Sequence, residues 1–159
     1  MRKYLRDILA RQAAKLPEFE SQTEAETGIF KWRDRILAIL FGRVRGSDGP
    51  ELDYTVESLL RLEDWYFRET ERSDATLARG CSLYFGEVVV RTVPGAAWVV
   101  EEFPFVESRF NLGVRQGTST MMLSSFYEKL HHPNNTKRNS MWRTYHHYYV
   151  PGSRIRITF

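Results

Sequence analysis

The longest stretch of the chain in which apolar residues outnumber polar ones runs from Ser73 to Val100. Two apolar stripes repeat within it at the three- and four-residue spacing of a helix: Leu77, Cys81, Tyr84 and Val88 form one, and Ala78, Phe85, Val89 and Val93 form the other. A helix that is apolar on two faces must be covered on both. The pattern predicts a central helix, capped at Ser73 and Asp74 and ending near Arg91, that is buried between its neighbours.

Three more helices are predicted on the N-terminal side of the central one. The first covers residues 1–16 and ends at Pro17, which lacks a backbone donor and cannot continue a helix. The second runs from Gly28 to Val44. It follows a polar and acidic segment, residues 18–27, which is expected to be a loop that can continue into this helix.

The third of these helices is predicted to begin at Asp53–Thr55, where short polar side chains can cap it, and to end at about Arg72. Its expected inward stripe comprises Val56, Leu59, Leu60, Glu63, Tyr66 and Phe67. On its solvent side, two pairs have the four-residue spacing of favourable ion pairs: Glu57 with Arg61, and Asp64 with Arg68.

The C-terminal half of the central stretch also permits a strand. Residues 82–92 include three consecutive valines, and Pro94-Gly95 suits a type II turn, so this segment could instead pair with Ala97–Glu101. We expect the helix. Trp98–Val100 then forms the first strand and pairs in a hairpin with a second strand, Ser108–Val114, whose apolar residues alternate with polar ones or glycine.

Beyond this hairpin, Thr118 or Ser119 is expected to cap a helix over Thr120–Leu130, and Arg154–Phe159 alternates as a strand does. The fold class predicted for the chain is α+β, with a helical N-terminal half packed on a small antiparallel sheet. Residues 1–159 are expected to form a single domain, since 159 residues is an ordinary domain size.

Composition places the chain among soluble globular proteins, with 42% hydrophobic and 27% charged residues. The most apolar run, Ile36–Phe41, is far shorter than the roughly 20 residues of a spanning helix, and the N-terminus lacks the unbroken apolar centre of a secretory signal. The single cysteine, Cys81, cannot form an intramolecular disulfide. These features predict a cytoplasmic location and no membrane partner.

Charge is divided unevenly along the chain. Residues 129–159 carry six basic and no acidic side chains, which leaves 17 basic and 20 acidic side chains, a net charge of −3, on residues 1–128. Such a basic segment can bind nucleic acid or an acidic partner, and it can equally dock on the acidic body of the same chain. The sequence leaves both interpretations open.

The basic segment is also rich in aromatic residues. Its candidate binding residues are Lys137, Arg138, Trp142, Arg143, Tyr145, Arg154 and Arg156. Cations that neutralise phosphates and rings that stack on bases would suit a single-stranded nucleic acid. We favour the alternative, in which Trp142, Tyr145 and Tyr149 form the buried stripe of a last helix.

Candidate catalytic and ligand-binding residues are few. Glu87 lies between Gly86 and three valines, where a carboxylate can act as a general acid or base but more often pairs with a cation such as Arg91. Glu128 and His132 are four residues apart and His146-His147 follow, but this is not a recognised metal-ligand spacing, and we expect no metal and no cofactor. Residues 113–120, GVRQGTST, lack the lysine of a phosphate-binding loop, and only a helix N-terminus holding an anion remains conceivable there.

Residues 83–98, LYFGEVVVRTVPGAAW, resemble a pattern in uncharacterised bacterial proteins in which a helix ends in Gly-Glu-Val and leads through a glycine turn to a tryptophan strand. The matching residues are Tyr84, Gly86, Glu87, Val88 and Trp98. The resemblance covers about a tenth of the chain. It implies a bacterial cytoplasmic α+β protein and supports the helix over the hairpin, but it brings no catalytic residues.

The sequence thus says more about architecture than about activity. We expect a non-enzymatic factor that binds a protein partner, of the immunity, antitoxin or accessory type. The first alternative is a nucleic-acid-binding module that uses the basic aromatic segment, and the second is an enzyme with Glu87 or the histidine pairs in its site.

Overall fold

The computed structural model describes residues 2–69, 74–132 and 138–153, and within these ranges it contains six helices and three strands. The elements in chain order are α1 (Arg2–Ala13), α2 (Gln22–Gly46), α3 (Val56–Glu69), α4 (Ala75–Thr92), β1 (Ala97–Glu102), β2 (Phe110–Gln116), β3 (Ser119–Met122), α5 (Leu123–His131) and α6 (Ser140–Tyr149). The fold is α+β, with the helical N-terminal half packed on a small antiparallel sheet, as predicted.

Helix α4 is the central element that the two apolar stripes predict. It packs against α2, α3, α5 and the sheet, and most of its residues from Leu77 to Val89 are buried. The carboxylate of Asp74 caps its start by accepting the backbone N–H of Leu77 at 3.1 Å. The helix continues to Thr92, so residues 82–92 do not form the alternative strand.

The approach of α2 to α4 depends on a glycine. A Cβ atom on Gly80 would lie only 2.9 Å from the Cβ of Leu40, a separation that real Cβ atoms do not show. Leu40 is fully buried at this crossing. The two helices therefore pack more closely than a side chain at position 80 would permit.

Helix α2 begins at Gln22 rather than at Gly28, so the loop predicted over residues 18–27 is present only as far as Ser21, and the rest of the segment continues into the helix. Ser21 caps the helix by accepting the backbone N–H of Glu24 at 3.2 Å. The signal was present in the sequence as a serine followed three residues later by glutamate, a typical helix start.

On α3, the structure confirms the ion pair between Asp64 and Arg68, at 2.9 Å. The predicted pairing of Arg61 with Glu57 is wrong, because the Arg61 guanidinium contacts Asp53 at 3.1 Å instead. The predicted end of this helix at Arg72 lies outside the described residues, as does the predicted strand Arg154–Phe159.

The sheet has the order β1-β2-β3, with both pairs antiparallel. The predicted hairpin is present, although β2 is two residues later than expected, with Val100 opposite Leu112 and Trp98 opposite Val114. The helix predicted from Thr120 is wrong at its start, because residues 119–122 form β3 and α5 begins at Leu123. Gly117 takes φ +59° in the two-residue loop between Gln116 and Ser119, a conformation that favours a tight hairpin.

One core joins helices α2 to α6 to the inner face of the sheet. Residues from α2, α3, α4, α5, α6 and the strands belong to a single buried hydrophobic cluster. Among the described residues, none of the helices combines the length and the apolar character needed to cross a membrane.

Candidate functional site

Glu87 is engaged through both of its carboxylate oxygens. Oε2 accepts the Nε–H of Arg91 at 3.1 Å, and Oε1 accepts the indole N–H of Trp98 at 3.2 Å. The expected pairing with Arg91 is thus present, and Trp98 adds a second donor. Glu87 ties the last turns of α4 to the first residues of β1.

Gly86 explains why Trp98 can reach Glu87. A Cβ atom on Gly86 would overlap the ring of Trp98, so the indole can lie against α4 only where that side chain is missing. The guanidinium of Arg33, on α2, lies 5.2 Å from the ring of Trp98. The Gly-Glu pair of the LYFGEVVV segment and its distant tryptophan therefore form one packing unit.

Arg91 extends this unit towards the start of α3. Its guanidinium lies 3.6 Å from the ring centre of Tyr54, which stacks on Tyr84 with ring centres 5.5 Å apart. The hydroxyl of Tyr84 accepts the backbone N–H of Tyr54 at 2.9 Å and is 2.7 Å from the hydroxyl of Ser58. Tyr54 has φ +61°, so these contacts hold a backbone conformation that non-glycine residues rarely adopt.

Glu63 is a buried carboxylate for which the sequence analysis assigns no role. Its side chain is only 1% exposed, and Oε1 accepts the backbone N–H of Ser140, the first residue of α6, at 3.0 Å. Asn139 precedes that helix with φ +63° and provides no side-chain cap, so Glu63 of α3 caps α6 in its place. The sequence signal was a lone carboxylate in an otherwise apolar inward stripe.

The surroundings of Glu63 favour its neutral form. Burial raises the pKa of its carboxyl from an ordinary 4.5 to about 7, against the opposing effect of the backbone donors at the start of α6. Oε2 has no hydrogen-bond partner within the described part of the chain. Burial likewise raises the pKa of the Cys81 thiol, which makes Cys81 an unreactive core residue, as its apolar surroundings predict.

The basic aromatic segment is only partly described, since Lys137, Arg154 and Arg156 lie outside the described residues. Tyr145 is buried and its hydroxyl is 2.7 Å from that of Thr92. Trp142 is half-buried, with its ring centre 3.9 Å from that of His146. Trp142 and Tyr145 thus belong to the inward stripe predicted for this last helix.

The cations of this segment point outward. Arg143 is exposed on α6, and Arg138 is exposed with its guanidinium 4.1 Å from the ring centre of Phe67 on α3. Tyr148 is an exposed aromatic side chain of α6, at 55% exposure. Arg138 and Arg143 are therefore exposed, whereas the rings of Trp142 and Tyr145, grouped with them in the candidate binding surface, pack into the fold.

The remaining sequence candidates are the metal ligands and the anion site. Within residues 2–69, 74–132 and 138–153 there is no group of three or more residues of the His, Cys, Asp and Glu types that could hold a metal ion. The side chain of Glu128 is outside the description, and His146 donates from Nδ1 to the carbonyl oxygen of Trp142 at 2.9 Å. The helix start that was conceivable as an anion site at residues 113–120 is not present, because these residues form the β2–β3 hairpin.

The sequence predicts the hairpin loop between β1 and β2 but not the exposure of its phenylalanine. We call residues 102–108, the last residue of β1 and most of this loop, the Phe105 tip. Phe105 is 92% exposed and has φ +67°. Across the base of the tip, Phe103 donates its backbone N–H to the carbonyl oxygen of Arg109 at 2.6 Å, and Ser108 donates its own to Oε1 of Glu102 at 2.7 Å. The tip is thus a closed loop that presents an aromatic ring to solvent.

A second strip of chain holds the tip from the side. The backbone N–H of Phe19 donates to the carbonyl oxygen of Ser108 at 3.0 Å. Arg109 contacts Glu18 at 3.1 Å and donates to the carbonyl oxygen of Leu16 at 2.7 Å. The connection between α1 and α2 therefore supports the hairpin where its loop leads into β2.

Comparison with known proteins identifies a family but no individual protein that matches. No curated protein and no solved structure matches the chain. Residues 18–149 match the family described as uncharacterised protein YwmA, and this range includes the Phe105 tip, the Glu87 packing unit and Glu63. Because the match spans most of the 159 residues, the chain belongs to the family of uncharacterised proteins YwmA.

Proposed function

We propose that this protein acts by binding another protein, without catalysis, and that Phe105 is the residue that enters the partner. The observation that carries the proposal is the 92% exposure of this phenylalanine at the end of a hydrogen-bonded loop. Single exposed apolar residues are common on protein surfaces. A large ring that is almost completely exposed and held by a closed backbone has the properties of an interface anchor.

The backbone of the tip supports the same interpretation. Phe105 and Ser108 both have positive φ, at +67° and +62°, conformations that cost non-glycine residues free energy and concentrate at binding loops. Hydrogen bonds from Phe103, Ser108 and Phe19 hold this conformation in the absence of a partner. A loop ordered beforehand loses less conformational entropy on binding, so more of the contact energy contributes to affinity.

Among the described residues, three groups of the kinds that can serve catalysis, the Glu87 carboxylate, the Cys81 thiol and the Tyr84 hydroxyl, contribute to the fold. Glu87 is held by Arg91 and Trp98, and the Tyr84 hydroxyl by Tyr54 and Ser58. These uses favour a binding protein over an enzyme built on Glu87. The class we propose is an immunity, antitoxin or accessory factor of the bacterial cytoplasm.

The test is capture of partners by the tagged full chain from lysate of its host, with and without nuclease. Phe105→Asn removes the ring while asparagine tolerates the positive φ. Ile39→Gln is the matched control, since Ile39 is an exposed apolar residue of α2, at 41% exposure. We expect a stoichiometric protein that survives nuclease, is lost with Phe105→Asn and is retained with Ile39→Gln. Capture that is unaffected by Phe105→Asn would contradict the proposal.

Nucleic-acid binding is the second candidate, favoured by the exposure of Arg143, His147 and Tyr148 on α6. The same experiment separates it from the first. Nucleic acid captured alone, released steeply by added salt and lost with Arg143→Ala, would make the outer face of α6 the working surface. The packing of Trp142 and Tyr145 into the fold leaves fewer rings for base stacking than the sequence suggests.

A further inference from the structure

Both charged residues of the Phe105 tip are acidic. Glu102 and Glu107 lie within the tip on either side of Phe105, and both are exposed. The two arginines of the hairpin are balanced by carboxylates, because Arg109 contacts Glu18 and Arg115 contacts Glu101. The exposed ring is therefore flanked by two carboxylates whose charge these contacts do not neutralise.

This arrangement limits what the ring can enter. A phosphate-rich surface, whether an anionic lipid headgroup layer or a nucleic acid, would place negative charge against Glu102 and Glu107. A purely apolar pocket would remove water from the same carboxylates without replacing their hydrogen bonds, which is costly. A pocket with cations at its edge both accepts the ring and pairs the carboxylates.

We propose that the Phe105 tip docks into an apolar pocket of a protein partner whose rim carries lysine or arginine side chains. This inference rests on the proposed function and specifies the partner of the same site. Phe105 supplies the buried contact and Glu102 and Glu107 supply the rim contacts. Phe105 then accounts for most of the affinity, and the carboxylates account for partner choice and for dependence on salt.

The probe is the full-length protein with a photoreactive benzophenone phenylalanine in place of Phe105, irradiated in lysate of the host at low and at high sodium chloride. Adducts are identified by mass spectrometry, so the partner surface around the ring is read directly. Two further variants are made in this background. Glu107→Lys reverses a rim charge, and Glu102→Gln removes the other while its amide oxygen can still accept the N–H of Ser108.

The matched control is Glu57→Lys, the same charge reversal at an exposed glutamate of α3, a helix that packs on α4 and α6. We expect a protein adduct whose crosslinked surface combines apolar residues with lysine or arginine. Glu107→Lys should lower its yield roughly three- to tenfold at low salt, and by less at high salt. Glu102→Gln should lower it by less than Glu107→Lys, and Glu57→Lys should leave it unchanged.

The outcomes separate this inference from the proposed function. A protein adduct that responds equally to Glu107→Lys and Glu57→Lys, or that increases with Glu107→Lys, overturns the basic rim but leaves protein binding through Phe105 in place. An adduct formed mainly with lipid or nucleic acid overturns both proposals. An adduct with a second copy of this chain that is insensitive to Glu107→Lys also overturns the basic rim.

Discussion

The carboxyl of Glu63 should make the stability of this protein depend on pH between about 4.5 and 7. Below pH 4.5 the group is protonated in both the folded and the unfolded chain and contributes no difference. As the pH rises past 4.5, the unfolded chain loses this proton while the folded protein, with a pKa of about 7, keeps it. Ionisation then stabilises the unfolded state, so the free energy of unfolding falls until the folded protein ionises as well.

The size of this loss follows from the shift of the pKa. Each unit of difference between the folded and unfolded pKa is worth about 1.4 kcal/mol, so a rise from 4.5 to about 7 removes about 3 kcal/mol across the interval. Solvent screens this charge little, because Glu63 is only 1% exposed. A small domain has roughly 5–15 kcal/mol of stability in total, so the effect is measurable.

The variant that tests this is Glu63→Gln, which keeps an oxygen to accept the N–H of Ser140 but cannot ionise. Urea unfolding of both proteins is followed at half-unit steps from pH 4.5 to 8. The difference between the two free energies of unfolding should shift by about 3 kcal/mol in favour of the variant as the pH rises to 7, and should stay constant above pH 7. Glu57→Gln, an exposed change on the same helix, is the control and should follow the wild type. Parallel pH profiles for wild type and Glu63→Gln would refute this reasoning.

Three further outcomes are expected from the packing around α4. Gly86→Ala forces a methyl group into the ring of Trp98 and should lower the free energy of unfolding, measured in urea, by about 1–3 kcal/mol. The control is Gly42→Ala, on an open part of α2, which should raise the free energy of unfolding by about 0.5–1 kcal/mol. Tyr84→Phe removes the acceptor of a backbone N–H and should cost about 1–3 kcal/mol by the same assay, and a loss below 0.5 kcal/mol would show that water replaces it. Cys81 should react with a thiol reagent only as fast as the protein unfolds, so labelling of the native protein at the rate of a free thiol would contradict its burial.

The central helix could be predicted from sequence because its signal is local and redundant. Two apolar stripes with helical spacing run along the eighteen residues of α4, and a strand over residues 82–92 would not explain this spacing. The β1–β2 hairpin was predicted for the same reason, since Phe110, Leu112 and Val114 alternate and are all buried. Such elements require no knowledge of what packs against them.

Elements that depend on a single turn or on a distant contact were missed. Residues 119–122 of β3 are too few for a periodic pattern, and only the glycine at position 117 marks the hairpin that precedes them. The cap on α6 comes from Glu63, more than seventy positions earlier in the chain, and no local pattern connects the two. The exposure of Phe105 has no local signal, since hydropathy alone would place a phenylalanine inside, and the contacts of residues 16–19 with Ser108 and Arg109 join distant parts of the chain.

The packing of residues 86–98 guides the search for a working surface. Gly86, Glu87 and Trp98 serve to lock α4 onto β1, so substitution there should act through stability and should affect every function of the protein equally. Phe105 contributes little packing of its own, because 92% of it is exposed. Its replacement should therefore leave the free energy of unfolding nearly unchanged while abolishing binding, whereas Gly86→Ala should weaken binding only in proportion to the folded protein that is lost. A surface that serves a partner is recognised by this separation of binding from stability, and the Phe105 tip is where the structure makes the separation testable.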